Sequence, residues 1–162
     1  MGSGMTYLDF AENDYMFFKA AYDNGLRMNT MASIGQNACE KYLKHIISEY
    51  ANPENHQERE AKNDVLRAHS LQKLMKYIKN DMHMSIPEDT QTKLAVVNCY
   101  YYNTRYPGDD SFLATSEDIE DVNKAIEVAR DFTLETCRQY SLAHEALYDY
   151  YDYDDFDSHD SN

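Results

Sequence analysis

Apolar positions recur every three or four residues in five stretches of this chain. Nowhere do they alternate over enough residues to suggest a strand. The first stretch runs from Tyr7 to Asp23, with Leu8, Ala11, Tyr15, Phe18 and Tyr22 on one face. Asn24-Gly25 closes it, because these residues tolerate the left-handed conformation past a helix end. The second runs from Met28 to Tyr50 on Met31, Ile34, Ala38, Tyr42, Leu43, Ile46 and Tyr50, and Asn52-Pro53 ends it. Residues 53–63 show no apolar repeat and read as a solvated loop. The third stretch covers Asp64 to Met82, with Leu71, Leu74, Met75 and Ile78 inward and Lys73, Lys76 and Lys79 outward. The fourth opens at Ser85, where Ser85 and Glu88 have the spacing of a capping box, and it must stop by Tyr106 because Pro107 disfavours helix before it. After a linker at 108–115, Thr115 or Ser116 caps the fifth. Ile119, Val122, Ile126, Ala129, Phe132, Thr133 and Thr136 mark its inner face to about Tyr140.

These elements predict an all-α fold, an antiparallel bundle of four or five helices with short connections, over residues 7–147. Residues 1–6 form an N-terminal extension. Residues 148–162 are an acidic, Tyr-rich tail whose self-repelling carboxylates predict disorder.

Composition narrows the picture. The 162 residues fit one domain, and only five Gly and three Pro favour helices over loop-rich β structure. No apolar run approaches a membrane span. Three cysteines lie far apart on helical stripes with no C-x-x-C pair, which suits a reducing cytoplasm. The net charge is −14, and half of it falls from Glu145 onward, where seven acids meet no Lys or Arg. Such acidity argues against broad phosphate binding. Even so, eight of the 15 basic residues lie in 41–79 against five acids, so that region is locally positive.

Few residues stand out for chemistry. Tyr100, Tyr101 and Tyr102 cannot all face the core of one helix, since consecutive residues are turned about 100° apart, so at least one is exposed. Arg105 at that helix end reads as a structural lock on the following loop or as an anion contact. Glu40 precedes Lys44 by four residues, the spacing of an ordinary surface pair. His69 reads as a packing or capping residue. The six histidines are scattered without H-x-x-x-H, so no metal site is expected, and no Gly-rich phosphate loop occurs.

Three elements together resemble one family. Gln36 followed by Glu40-Lys41-Tyr42-Leu43-Lys44 is similar to a Gln…Glu-Lys-x-Leu-Lys signature. Ala68-His69-Ser70-Leu71-Gln72-Lys73-Leu74 is similar to its His-Asp-Leu-x-x-Leu element, with Ser70 replacing Asp. Thr104-Arg105-Tyr106-Pro107 matches its Thr-Arg-Tyr-Pro element. The family is the HEPN domain, and the resemblance covers about residues 8–140. It implies a helical bundle, a homodimer, and association with nucleotides, RNA or a minimal nucleotidyltransferase, often as a toxin–antitoxin pair. On this reading Lys41, Lys44, His69 and Arg105 form a nucleotide-binding surface, and no cofactor is expected beyond that ligand. Some members are metal-independent ribonucleases using Arg and His. Here Arg138 and His144 have the right spacing, five residues between them, but lie later in the chain than that pair does. The His would act as general base on a ribose hydroxyl and the Arg would hold the phosphate. A structural adaptor with an acidic docking tail is the third reading.

Overall fold

The computed structural model describes residues 4–157, with side chains described as far as Tyr148. Among the described residues the chain forms six helices and one further helical turn, without strands. They are α1 (Tyr7–Asp23), α2 (Asn29–Tyr50), α3 (His56–Arg67), α4 (Leu71–Asn80), α5 (Glu88–Val97), the single turn α6 (Tyr100–Asn103) and α7 (Ser116–Asp157).

Local chemistry starts and stops these helices. Thr6 and Asp9 form a reciprocal capping box on α1, and Gly25 past its end takes φ 80°, a conformation glycine adopts without strain. Thr115 and Asp118 do the same for α7, with Thr115 N–H donating to Asp118 Oδ2 at 2.7 Å. Helix α5 begins after Pro87 with no side-chain cap, so the expected Ser85–Glu88 box is absent.

Helix α2 is the centre of the bundle. It packs against α1, α3, α4, α6 and α7, and thirteen of its residues are buried around most of its circumference. Gly35 sits where α2 crosses α7. A Cβ there would overlap Val122 Cγ1 and stand 3.0 Å from Ile126 Cδ1. The core is Phe18, Tyr42, Leu43, Ile46, Ile47, Leu71, Leu74, Ile78, Leu94, Ile119 and Ile126, all fully buried. Arg130 from α7 and Tyr42 from α2 both donate to Glu12 of α1, at 2.8 and 2.6 Å, and so tie the three helices together.

Three expectations are corrected. The segment 53–63 is not an irregular loop, because α3 begins at His56. Asn55 caps it by accepting from Glu58 N–H at 2.9 Å, and Lys62 donates to the carbonyls of Ser48 and Ala51. The helix buries no residue, so it lacks the apolar repeat that would reveal it. Next, the expected helix over 64–82 is broken at residues 68–70. Ser70 caps α4, and the His69 carbonyl turns to accept from Gln36 Nε2. The expected fourth helix breaks likewise at Asn98, whose side-chain oxygen accepts from Gln72 N–H at 3.1 Å and Ser70 Oγ at 3.4 Å across the chain.

The tail is helical over its described part: no Gly or Pro interrupts the chain after Ser116, and α7 continues past Tyr140 to Asp157. Residues 158–162 lie outside the described residues. Of the cysteines, Cys39 is buried, Cys137 half-buried and Cys99 exposed, so Cys99 does not belong to an inward stripe. Burial raises the Cys39 thiol far above its ordinary value. No helix among the described residues is long and apolar enough to cross a membrane.

Candidate functional site

The break between α3 and α4 places His69 against α2. Its Nδ1 stands 3.1 Å from Glu40 Oε1 and 3.3 Å from Oε2. The same carboxylate receives Lys44 Nζ at 2.6 Å. Glu40 and Lys44 are 3% and 5% exposed, so this is a buried ion pair and not the surface pair that the spacing suggests. The reason is tertiary: α4 and α6 cover this face of α2. Facing both oxygens, the ring is held to this carboxylate by its Nδ1 edge. The His69 side chain is 44% exposed, so it is a held imidazole with one edge toward solvent.

His69 in turn meets the α6 turn. Its ring stacks on Tyr101 with 5.4 Å between centroids and 8° between planes, and Tyr102 stands edge-on at 6.0 Å. Arg105 Nη1 donates to Tyr101 Oη at 2.7 Å, with its Cζ 5.1 Å from the centroid of that ring and 5.6 Å from the Tyr106 centroid. Among the described residues, Arg105 pairs with no carboxylate. The three tyrosines divide as expected. Tyr100 turns inward to donate to Asp118 Oδ1 at 3.2 Å, while Tyr102 is 50% exposed. Burial, then the Asp118 charge, push the Tyr100 hydroxyl up to about 12.

The segment carrying Arg105 is anchored to the start of α2. Asn29 Nδ2 donates to the Thr104 carbonyl at 2.6 Å, and Asn29 Oδ1 accepts from Ala114 N–H at 2.7 Å. Beside it opens a cleft of about 380 Å³ lined by Asn29, Thr30, Ser33, Asn37, Tyr101 and Arg105. A second hollow of about 430 Å³ on the other side of Arg105 is lined by Tyr106, Ser111 and Phe112. A larger groove of about 530 Å³ lies between α4 and α5 along Lys76, Lys79, Glu88 and Gln91. Its lining is flexible side chains, and Lys79 is already held by Gln91 at 2.8 Å. The cleft at Arg105 has the better chemistry, with one fixed cation, a stacked aromatic and neutral hydrogen-bonding groups.

Of the four residues proposed from sequence, the structure brings Lys44, His69 and Arg105 to one chain of contacts. Lys41 is elsewhere: its Nζ bonds Asp14 of α1 at 2.5 Å, because it points from α2 toward α1. Lys44 lies beneath the surface as the partner of Glu40, so only His69 and Arg105 face outward. Glu40, Tyr101 and Asn29 complete the site. The first lay in the signature but read as a surface charge, and nothing local to the sequence distinguishes Asn29.

The Arg138–His144 pair is not in contact. Arg138 is bonded to Glu135 at 2.6 and 2.8 Å, which with Gln139 pulls the Glu135 carboxyl down to about 2. The His144 ring packs on Tyr148 at 4.7 Å. Six residues apart on one helix, the two side chains point about 120° apart. Among the described residues no group of three or more His, Cys, Asp or Glu is placed to hold a metal.

The family model of the HEPN domain matches residues 6–140, from the cap of α1 to the Tyr140 turn of α7. The chain belongs to the HEPN domain family. That match contains the entire Glu40–His69–Tyr101–Arg105 site and leaves the rest of α7 outside it. The all-helical HEPN fold agrees with the bundle described above. Searches of the curated proteins and of the solved structures return no match.

Proposed function

We propose that this HEPN domain is a binding module for a nucleotide, whose phosphate is held by Arg105 and whose remaining groups meet Tyr101 and His69. One observation carries the reading: Arg105 is fixed over Tyr101 at the mouth of a cleft with no carboxylate partner among the described residues. A guanidinium matches phosphate geometry, and an ordered aromatic beside it suits a base or ribose. Glu40 supports the reading by presenting the His69 ring in one orientation, with Nε2 away from the buried carboxylate. The module would act as a homodimer and as the partner of a minimal nucleotidyltransferase, the association that its family resemblance implies.

Calorimetric titration with ATP tests this. Arg105→Ala is expected to weaken binding roughly tenfold or more, the worth of a hydrogen bond to a charged group. No heat at millimolar nucleotide would remove the nucleotide reading. The ribonuclease alternative has no comparable support within one chain, since Arg138 is engaged by Glu135 and His144 by Tyr148. Growth arrest on expression, abolished by His144→Ala, would restore it.

A further inference from the structure

Beyond Tyr140 the described side chains of α7 lie open to solvent. From Ser141 to Tyr148 every residue is exposed, and the helix runs on to Asp157. At 1.5 Å per residue this is about 25 Å of helix beyond Tyr140. It carries on the stripe that α7 buries in the bundle. After Ile126, Ala129, Thr133 and Thr136, the same side of the helix presents Tyr140, His144, Leu147 and Tyr148. The Tyr140 ring stacks on Tyr50 of α2 with 4.0 Å between centroids, which fixes the root of this stripe to the bundle. Beyond it Leu147 is 56% exposed and Tyr148 63% exposed.

The charge on the same helix is one-sided. Between Ser141 and Asp157 there are six acids and no Lys or Arg. Five of the six fall in the final nine residues, 149–157, near the helix C-terminus, where carboxylates oppose the dipole. An isolated helix of about 15 residues is marginal in water even with good composition. An apolar stripe without cover, acids at the wrong end and no lysine at i+4 all weigh against this one standing alone. Apolar cover and added cations would remove each deficit together.

We propose that α7 beyond Tyr140 is a docking helix for a basic amphipathic helix of a partner protein. The partner's apolar face would lie on Tyr140, His144, Leu147 and Tyr148, and its Lys and Arg would meet the carboxylates. Charge selects this occupant. A second copy of this chain brings the same acids to the contact, and nucleic acids and anionic membrane surfaces are repelled by them.

The test uses the full chain and three synthetic helical peptides. The first carries Leu at helical spacing with Lys on the flanks. The second has the same composition with the Leu positions scrambled. The third has Glu in place of Lys. Fluorescence anisotropy is expected to show micromolar binding of the first alone, weakened about tenfold by Leu147→Ser in the full chain. Binding should weaken further in high salt and be unchanged by Arg105→Ala. Amide shifts in a heteronuclear NMR spectrum should concentrate in residues 140–157. Equal binding of the scrambled peptide, indifference to Leu147→Ser, or shifts confined to the bundle would overturn the proposal. So would a dimer in sedimentation that Leu147→Ser dissociates, because a second copy would then occupy the stripe.

Discussion

Removing one member of the buried Glu40–Lys44–His69 set is expected to cost far more than a surface pair would. Lys44→Met leaves the Glu40 carboxylate, 3% exposed, with only His69 to face it. The loss should be about 3–5 kcal/mol in urea denaturation, and the double variant Glu40→Gln, Lys44→Met should lose less than the two single variants together. A loss below about 1 kcal/mol would mean that the pair is solvated. His45, one residue further on α2, responds to pH. It is 6% exposed and its Nδ1 has no partner. Burial lowers its proton affinity below the ordinary 6.5, against the opposing charges of Glu49 and Asp9. The unfolded chain therefore takes up the proton first. The stability due to neutral His45 is complete above about pH 6.5 and is lost as pH falls below it. In His45→Leu this part of the decline, measured by urea midpoints between about pH 7.5 and 5, is expected to flatten.

Helix contacts explain which elements tolerate change. Gly35 lets α2 lie directly on α7, and a methyl group there meets Val122, Ile126 and Phe18 at once. Gly35→Ala is expected to destabilise the fold by about 1–3 kcal/mol despite its better helix propensity, read from the thermal midpoint. An increase in stability would show that α7 shifts freely. By contrast α3 has no fully buried residue, and its place depends on the partly buried Val65 and Leu66, on the Asn55 cap and on Lys62 reaching the end of α2. The same distinction governs the site. Arg105 is held by a turn that Asn29 fastens to α2 from 75 residues away. Its position therefore follows from packing of that turn and not from the helix before it.

For the molecule as a whole, charge is the dominant unpaired quantity. The net −14 is divided between a bundle with compensating ion pairs and a helical extension whose sequence carries no Lys or Arg from Ser141 to Asp157. Self-repulsion of this size is screened by salt, since the Debye length falls from about 30 Å at 0.01 M to about 8 Å at 0.15 M. Raising salt over that range is expected to increase the helical signal of the full chain in circular dichroism. An unchanged signal would mean that the extension does not feel its own charge.

Much was settled by the chain alone. Asn24-Gly25 and the apolar stripe placed α1 at its observed bounds, and α2 and the start of α7 followed from the same periodicity, because caps and stripes are local features. The family was legible in three short motifs, since their order survives whatever lies between them. The tertiary structure decided what those motifs do. Helix α3 has no stripe to read. The breaks at His69 and Asn98 come from bonds to residues 29 and 26 positions distant, which override a continuous periodic pattern. Burial by α4 and α6 turned Glu40–Lys44 from an ordinary helix pair into the support of a histidine, and the turn of α2 toward α1 took Lys41 out of the site. Spacing along one helix tells which residues share a face. Only the packing of the other helices tells whether that face meets water, a carboxylate or an open cleft.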